Sequence, residues 1–122
     1  MDWIIENDRP IWLQLYEQLT LRIVTGQYPM GGKMPTVRDL AAEAGVNPNT
    51  MQRALAHLEE QGLVTTNRTA GRQITEDGEK VAAIRMALAQ KQIEAYLQGM
   101  VFLGFSEQEA RALLADKEET HV

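Results

Sequence analysis

The chain contains no cysteine. That excludes a disulfide framework and any thiolate metal site. It has no apolar run long enough to cross a bilayer, and its N-terminus lacks the basic-then-apolar pattern of a secretory signal. A cytoplasmic protein with no membrane attachment is expected. A basic excess is missing too: 12 Lys and Arg stand against 17 Asp and Glu, which argues against a generic polyanion binder. Catalytic constellations are absent. His57 and His121 have no metal-ligand spacing. No serine or threonine sits in a nucleophile elbow. Gly31-Gly32 is not followed by the G-K-[ST] of a phosphate loop. The reading is therefore no enzyme, no metal and no cofactor.

What is present is organised around residues 34–63, MPTVRDLAAEAGVNPNTMQRALAHLEEQGL. Thr36 is a good N-cap, and Asp39 three residues on gives an acidic capping box. Leu40, Ala41 and Ala44 make one apolar side. Gly45 can turn left-handed at no steric cost. Asn47 caps a second helix and Pro48 fills its first position, where a missing N–H costs nothing. Met51, Ala54, Leu55 and Leu58 recur at helical spacing and face inward. Gly62 ends the run. Two short helices about a tight turn make a helix-turn-helix. The second helix leaves Asn49, Thr50, Gln52, Arg53 and His57 outside, all able to hydrogen-bond and none acidic.

The flanks complete the fold. Trp3, Ile4 and Ile5 suggest a terminal segment pinned to a surface as a short strand. Asp8 or Arg9 is expected to cap a helix over 11–25, in which Trp12, Leu15, Tyr16, Leu19 and Ile23 keep helical spacing. QYPMGGK, at 27–33, is turn chemistry. After Gly62, Leu63 to Thr66 reads as a strand, Asn67 to Gly71 as a turn, and Arg72 to Thr75 as the return strand. That order makes 1–75 a winged helix-turn-helix. A long helix is expected from Gly78 to Leu103, with one apolar stripe at Val81, Ile84 and Leu88 and another at Met86, Ile93, Leu97, Met100 and Val101. Two stripes need two coverings, so one side packs on its own chain and the other calls for a partner. Phe105, Ser106 and Glu109 form a staple and capping box for a last helix reaching Asp116, with a frayed tail beyond. The fold class is mainly α (α+β): a winged helix-turn-helix over 1–75 and a two-helix dimerisation region over 76–122.

Charge follows the same division. Residues 33–75 hold Lys33, Arg38, Arg53, Arg68 and Arg72 against four carboxylates, whereas 76–122 hold five cations against nine. The acidity is mostly C-terminal.

These residues resemble the GntR family of bacterial transcription regulators. The matching strings are Gly32 to Thr36, Arg38 to Ala41, Gly45 to Thr50 with its VNPNT, and Leu58-Glu59 to Gly62-Leu63. VNPNT and the short C-terminal part look like the YtrA subfamily. The resemblance implies a homodimer that binds an inverted-repeat operator in double-stranded DNA, with the C-terminal helices as the dimer contact. It also implies a repressor, often of transporter genes, without the large effector-binding domain of other branches. The small-molecule effector, if any, is not specified. One departure stands in the wing: Thr69-Ala70-Gly71-Arg72-Gln73-Ile74 lacks one glycine of the usual G-x-G turn.

Candidate DNA contacts follow from chemistry and position. Arg38, in the first turn of the first helix of the motif, can bridge a phosphate or reach a guanine edge; otherwise it pairs with Glu43 or Asp39. Asn47, Asn49 and Thr50 open the recognition helix, where amides read adenine and backbone N–H groups suit phosphate. Gln52 and Arg53 lie one turn in and suit base readout, unless one of them faces a neighbouring helix. Arg68, Gly71 and Arg72 build the wing, whose arginines suit a narrow minor groove. Lys33 is a candidate phosphate contact. The alternative is a winged helix used as a protein–protein module without specific DNA binding, which the overall acidity permits.

Overall fold

The structure is a computed structural model that describes residues 2–120, with side chains described through Asp116. Five helices and one hairpin follow in order: α1 (Ile11–Val24), α2 (Val37–Ala44), α3 (Pro48–Glu60), β1 (Val64–Asn67), β2 (Gly71–Ile74), α4 (Gly78–Phe102) and α5 (Glu107–Thr120). The chain forms two compact units, Met1–Arg85 and Met86–Val122.

In the first unit the inward residues of three helices meet. Leu15, Leu19 and Ile23 of α1, Leu40 and Ala41 of α2, and Met51, Ala54, Leu55 and Leu58 of α3 are all buried. Met34, Leu63, Val64 and Ile74 close the core below the hairpin. The helical spacing of the apolar residues is thus realised as one shared core, which fixes the angle at which α3 is presented. Trp12 and Tyr16 sit only half inside.

The turn between α2 and α3 is set by its caps. Thr36 Oγ1 accepts from the Asp39 N–H at 3.1 Å. Gly45 adopts φ +71°, a conformation in which a Cβ would be strained. Asn47 Oδ1 accepts from the Asn49 N–H at 2.7 Å, and Pro48 follows at the first helical position.

The terminal segment before α1 is pinned, but not as a strand. Two glutamines of α1 act as its partner. Gln18 accepts from the Ile4 N–H at 2.9 Å and donates to the Ile4 carbonyl at 2.6 Å. Gln14 accepts from the Glu6 N–H at 2.7 Å and donates to the carbonyls of Glu6 and Arg9, each at 2.8 Å. Side-chain amides satisfy the backbone where a neighbouring strand would. Trp3 lies over the Arg22 guanidinium, 3.9 Å from its ring centroid, and donates to Glu43 at 3.1 Å. The cap of α1 also departs from expectation. Pro10, not Asp8 or Arg9, holds that position, with no side-chain cap, because Pro10 itself leads into the helix.

The wing strands lie one residue later at the first strand and one earlier at the second than the propensities suggest. Val64 pairs with Ile74 and Asn67 with Gly71, antiparallel. A three-residue loop remains, closed by Asn67 Oδ1 accepting from the Thr69 N–H at 3.0 Å and by Gly71 at φ +76°. One left-handed glycine suffices for a three-residue hairpin loop. Behind β2, residues 31–34 add a short edge: Gly32 accepts from the Ile74 N–H at 2.8 Å, and the Met34 N–H donates to Arg72 at 2.9 Å.

In the second unit the capping box before α5 is reciprocal. The Ser106 N–H donates to Glu109 at 3.0 Å and the Glu109 N–H to Ser106 Oγ at 3.1 Å. Those bonds hold the Glu109 carboxyl below its ordinary pKa. Tyr96 donates to the Ala110 carbonyl at 2.6 Å, and Ala110 is buried. Helix α5 runs past Asp116 to Thr120; His121 and Val122 lie outside the described residues. Met86, Ile93, Val101 and Phe102 remain exposed along α4, as does Leu103 just past its end. No helix among the described residues is long and apolar enough to cross a membrane.

Candidate nucleic-acid interface

The exposed edge of α3 begins at its cap. Asn47, Asn49, Gln52 and Arg53 are exposed, and Thr50 is half-buried. Because Asn47 Oδ1 occupies the Asn49 N–H, that N–H is committed to the helix. The Asn49 side-chain amide stays at the surface.

Arg38 is exposed in the first turn of α2 and makes no ion pair among the described residues. The alternative partner Glu43 is engaged elsewhere, accepting from Trp3 and from Arg22 at 3.3 Å. Arg38 also borders a cleft of about 380 Å³ lined by residues 33–38, Gly71 and Arg72. Three of the candidate cations, Lys33, Arg38 and Arg72, are thus brought to one hollow between the start of α2 and the wing.

Arg72 is not a free wing side chain. Its Nε donates to Glu59 Oε1 at 2.6 Å, and the Thr66 hydroxyl donates to the same oxygen at 2.5 Å. Glu59, on α3, therefore ties both wing strands to the recognition helix. The Thr66 hydroxyl, and after it the Arg72 guanidinium, hold the Glu59 carboxyl below its ordinary pKa against the opposing effect of burial. Charge-assisted hydrogen bonds of this kind favour the ionised form. Sequence spacing gives no sign of this bond, since its partners are 13 residues apart. Arg68 is exposed in the hairpin loop.

On the opposite flank of α3 the sequence-derived picture also changes. Arg53 faces α1, with its guanidinium carbon 4.3 Å from the centre of the Trp12 ring. His57 is half-buried rather than outward. Its ring meets Trp12 edge-on at 5.5 Å and Tyr16 at 4.4 Å, and Nδ1 shares a hydrogen bond with Glu60 at 3.2 Å. His57 is therefore part of the packing between α1 and α3. The recognition edge is fastened on both sides: by Glu59 to the wing, and by Arg53 and His57 to α1.

The arrangement presents an exposed polar edge of the second helix of a helix-turn-helix, flanked by cations, with no carboxylate on the edge between Asn47 and Arg53. That surface is suited to a groove of duplex DNA. Residues 12–74 match the model of the bacterial regulatory proteins of the gntR family. The HTH-type transcriptional regulator YhcF of Bacillus subtilis is 35% identical over 109 residues, 89% of this chain and 90% of that protein. The HTH-type transcriptional repressor YtrA of Bacillus subtilis is 33% identical over 100 residues, 77% of each. A solved GntR family transcriptional regulator from Listeria monocytogenes matches with a TM-score of 0.83 at 33% identity, over 92% of this chain and 98% of that one.

Proposed function

The chain belongs to the GntR family, in its YtrA-like group, and is a helix-turn-helix DNA-binding regulator of transcription; on that premise we propose that it is a repressor which binds an inverted-repeat operator as a homodimer. The observation that carries the reading is the α3 edge from Asn47 to Arg53, whose exposed side chains other than Pro48 are neutral or cationic hydrogen-bonding groups. Its relative YtrA is a repressor, which supports extending that role here. Control of transporter genes is the extension that the family resemblance suggests.

In this reading Asn49 and Gln52 enter the major groove, where a side-chain amide makes two bonds to adenine. Asn47 and Thr50 contact the duplex where α3 enters. Arg38 and Lys33 meet the backbone from the hollow beside the wing, with Arg38 able to turn its fork to a guanine. Arg68 extends from the wing toward the minor groove, while Gly71 shapes the loop. Arg72 is held by Glu59 and supports the wing, offering its remaining N–H groups to a phosphate. Each phosphate neutralised steepens the log–log salt dependence by about 0.9. A dimer doubles the contacts, so an acidic protein can bind DNA through a locally basic face.

The dimer contact is assigned to the exposed apolar residues of the α4 segment and α5, of which Phe102 is 91% exposed. Apolar surface of that extent calls for a covering, and a second copy of the same two helices supplies one. Titration of a duplex selected from a random pool, against a scrambled duplex at two salt concentrations, tests the reading. Preference for the selected duplex supports it; equal or no binding removes it.

A further inference from the structure

We propose that Arg53 is a phosphate contact at the rim of the major groove rather than a base reader, and that Trp12 of α1 is the residue that positions it. The proposal rests on the DNA-binding reading above and says which strand element this arginine meets.

Arg53 is exposed, yet its guanidinium sits over an aromatic ring on another helix, 4.3 Å from the Trp12 centroid. It makes no ion pair among the described residues. Stacking over a ring occupies one face of the guanidinium and leaves its N–H groups, which lie in its plane, free to donate at the edges. The ring is itself restrained. Trp12 is half-buried, His57 meets it edge-on at 5.5 Å, and His57 is held between Tyr16 at 4.4 Å and Glu60 at 3.2 Å. Arg53 is therefore pre-positioned before any ligand arrives.

That restraint turns Arg53 toward α1, to one flank of α3. Arg53 leans off the α3 edge toward α1, whereas Gln52 beside it is exposed with no such anchor. On the other flank, Glu59 fastens Arg72 of the wing. A helix lying in a major groove has a phosphate strand along each flank. The wing side meets one strand, and Arg53 on Trp12 meets the other. A planar donor fork held at a flank suits a phosphate oxygen.

The test measures binding of the full chain to the selected and scrambled duplexes over a series of salt concentrations. The variants are Arg53→Gln, Trp12→Phe and the double variant, each also followed by thermal unfolding. Arg53→Gln is expected to weaken both duplexes by the same factor and to reduce the salt slope by about 0.9 per protomer. Trp12→Phe keeps an aromatic ring but a weaker partner for the cation. It should lose part of the affinity for both duplexes, and adding Arg53→Gln to it should cost less than in the natural chain. An unchanged slope with relaxed preference at one base pair would make Arg53 a base reader and overturn the proposal. Binding unchanged in Arg53→Gln would remove it from the interface. Equal costs of Arg53→Gln in both backgrounds would leave Trp12 a packing residue only. If the natural chain binds both duplexes equally, the operator reading fails, while the slope still decides the role of Arg53.

Discussion

Glu59 is one carboxylate with two donors, and through them α3 holds the wing. Its pKa lies below the ordinary value of 4.5, with the Thr66 hydroxyl the largest cause. A lowered folded pKa means the ionised form is favoured in the native state. The resulting stability is fully present above the unfolded pKa and is lost as pH falls through the folded one. Stability should therefore decline below about pH 4.5 in part through this group, and Glu59→Gln should flatten that decline. At neutral pH the same substitution should cost about 1 kcal/mol, since the pair is partly screened by solvent. Denaturant titrations at several pH values check both statements. Neighbouring asparagines separate stability from binding. Asn47 caps α3, so Asn47→Ala should cost about 1 kcal/mol of stability. Asn49 bonds through its backbone N–H to that cap, and its side chain is free for DNA. Asn49→Ala should leave the unfolding midpoint nearly unchanged and weaken operator binding about tenfold, the effect of losing roughly 1.4 kcal/mol of base contact. Arg38→Ala should weaken binding at least as much.

At the scale of elements, the segment before α1 is fastened by side chains where a sheet would use backbone. Gln14 is 1% exposed and serves three backbone groups. Gln14→Ala would remove the protein partner of those part-buried groups, costing about 1 kcal/mol. Gln18→Ala should cost less, because its bonds to Ile4 are exposed. Hydrogen exchange at the Ile4 and Glu6 amides, followed in each variant, reports the two clamps separately. This element was the least legible in the sequence. A glutamine on a helix reads as surface, and nothing local says that it faces a chain 8 or 14 residues away. The helices of the motif were legible for the opposite reason. Thr36 with Asp39 and Asn47 with Pro48, like Ser106 with Glu109 before α5, are caps that act within three residues, so spacing alone carries them. The core face of α3 followed from period. Of the candidate site, the outward placing of Asn49, Gln52 and Arg53 was legible from period and that of His57 was not; the Arg72–Glu59 bond and the lean of Arg53 onto Trp12 depend on which elements pack together.

Across the whole molecule, the exposed apolar residues of α4 and α5 are the surface proposed to meet a second protomer. Phe102→Glu would place a charge within that contact, where it has no partner. The variant is expected to sediment as a monomer at micromolar concentration and to lose operator affinity far more than stability. A natural chain that is monomeric under those conditions would contradict the assignment. In the proposed complex the polar edge of α3 enters the major groove in two copies. Methylation protection at guanine N7, a major-groove atom, tests it most directly on a duplex recovered by selection. Protection is expected in two symmetry-related patches whose centres lie one helical turn or a multiple apart. Protection weakened by Arg38→Ala would fit the same account. Bound duplex with every N7 still reactive, or one unpaired patch, would contradict it.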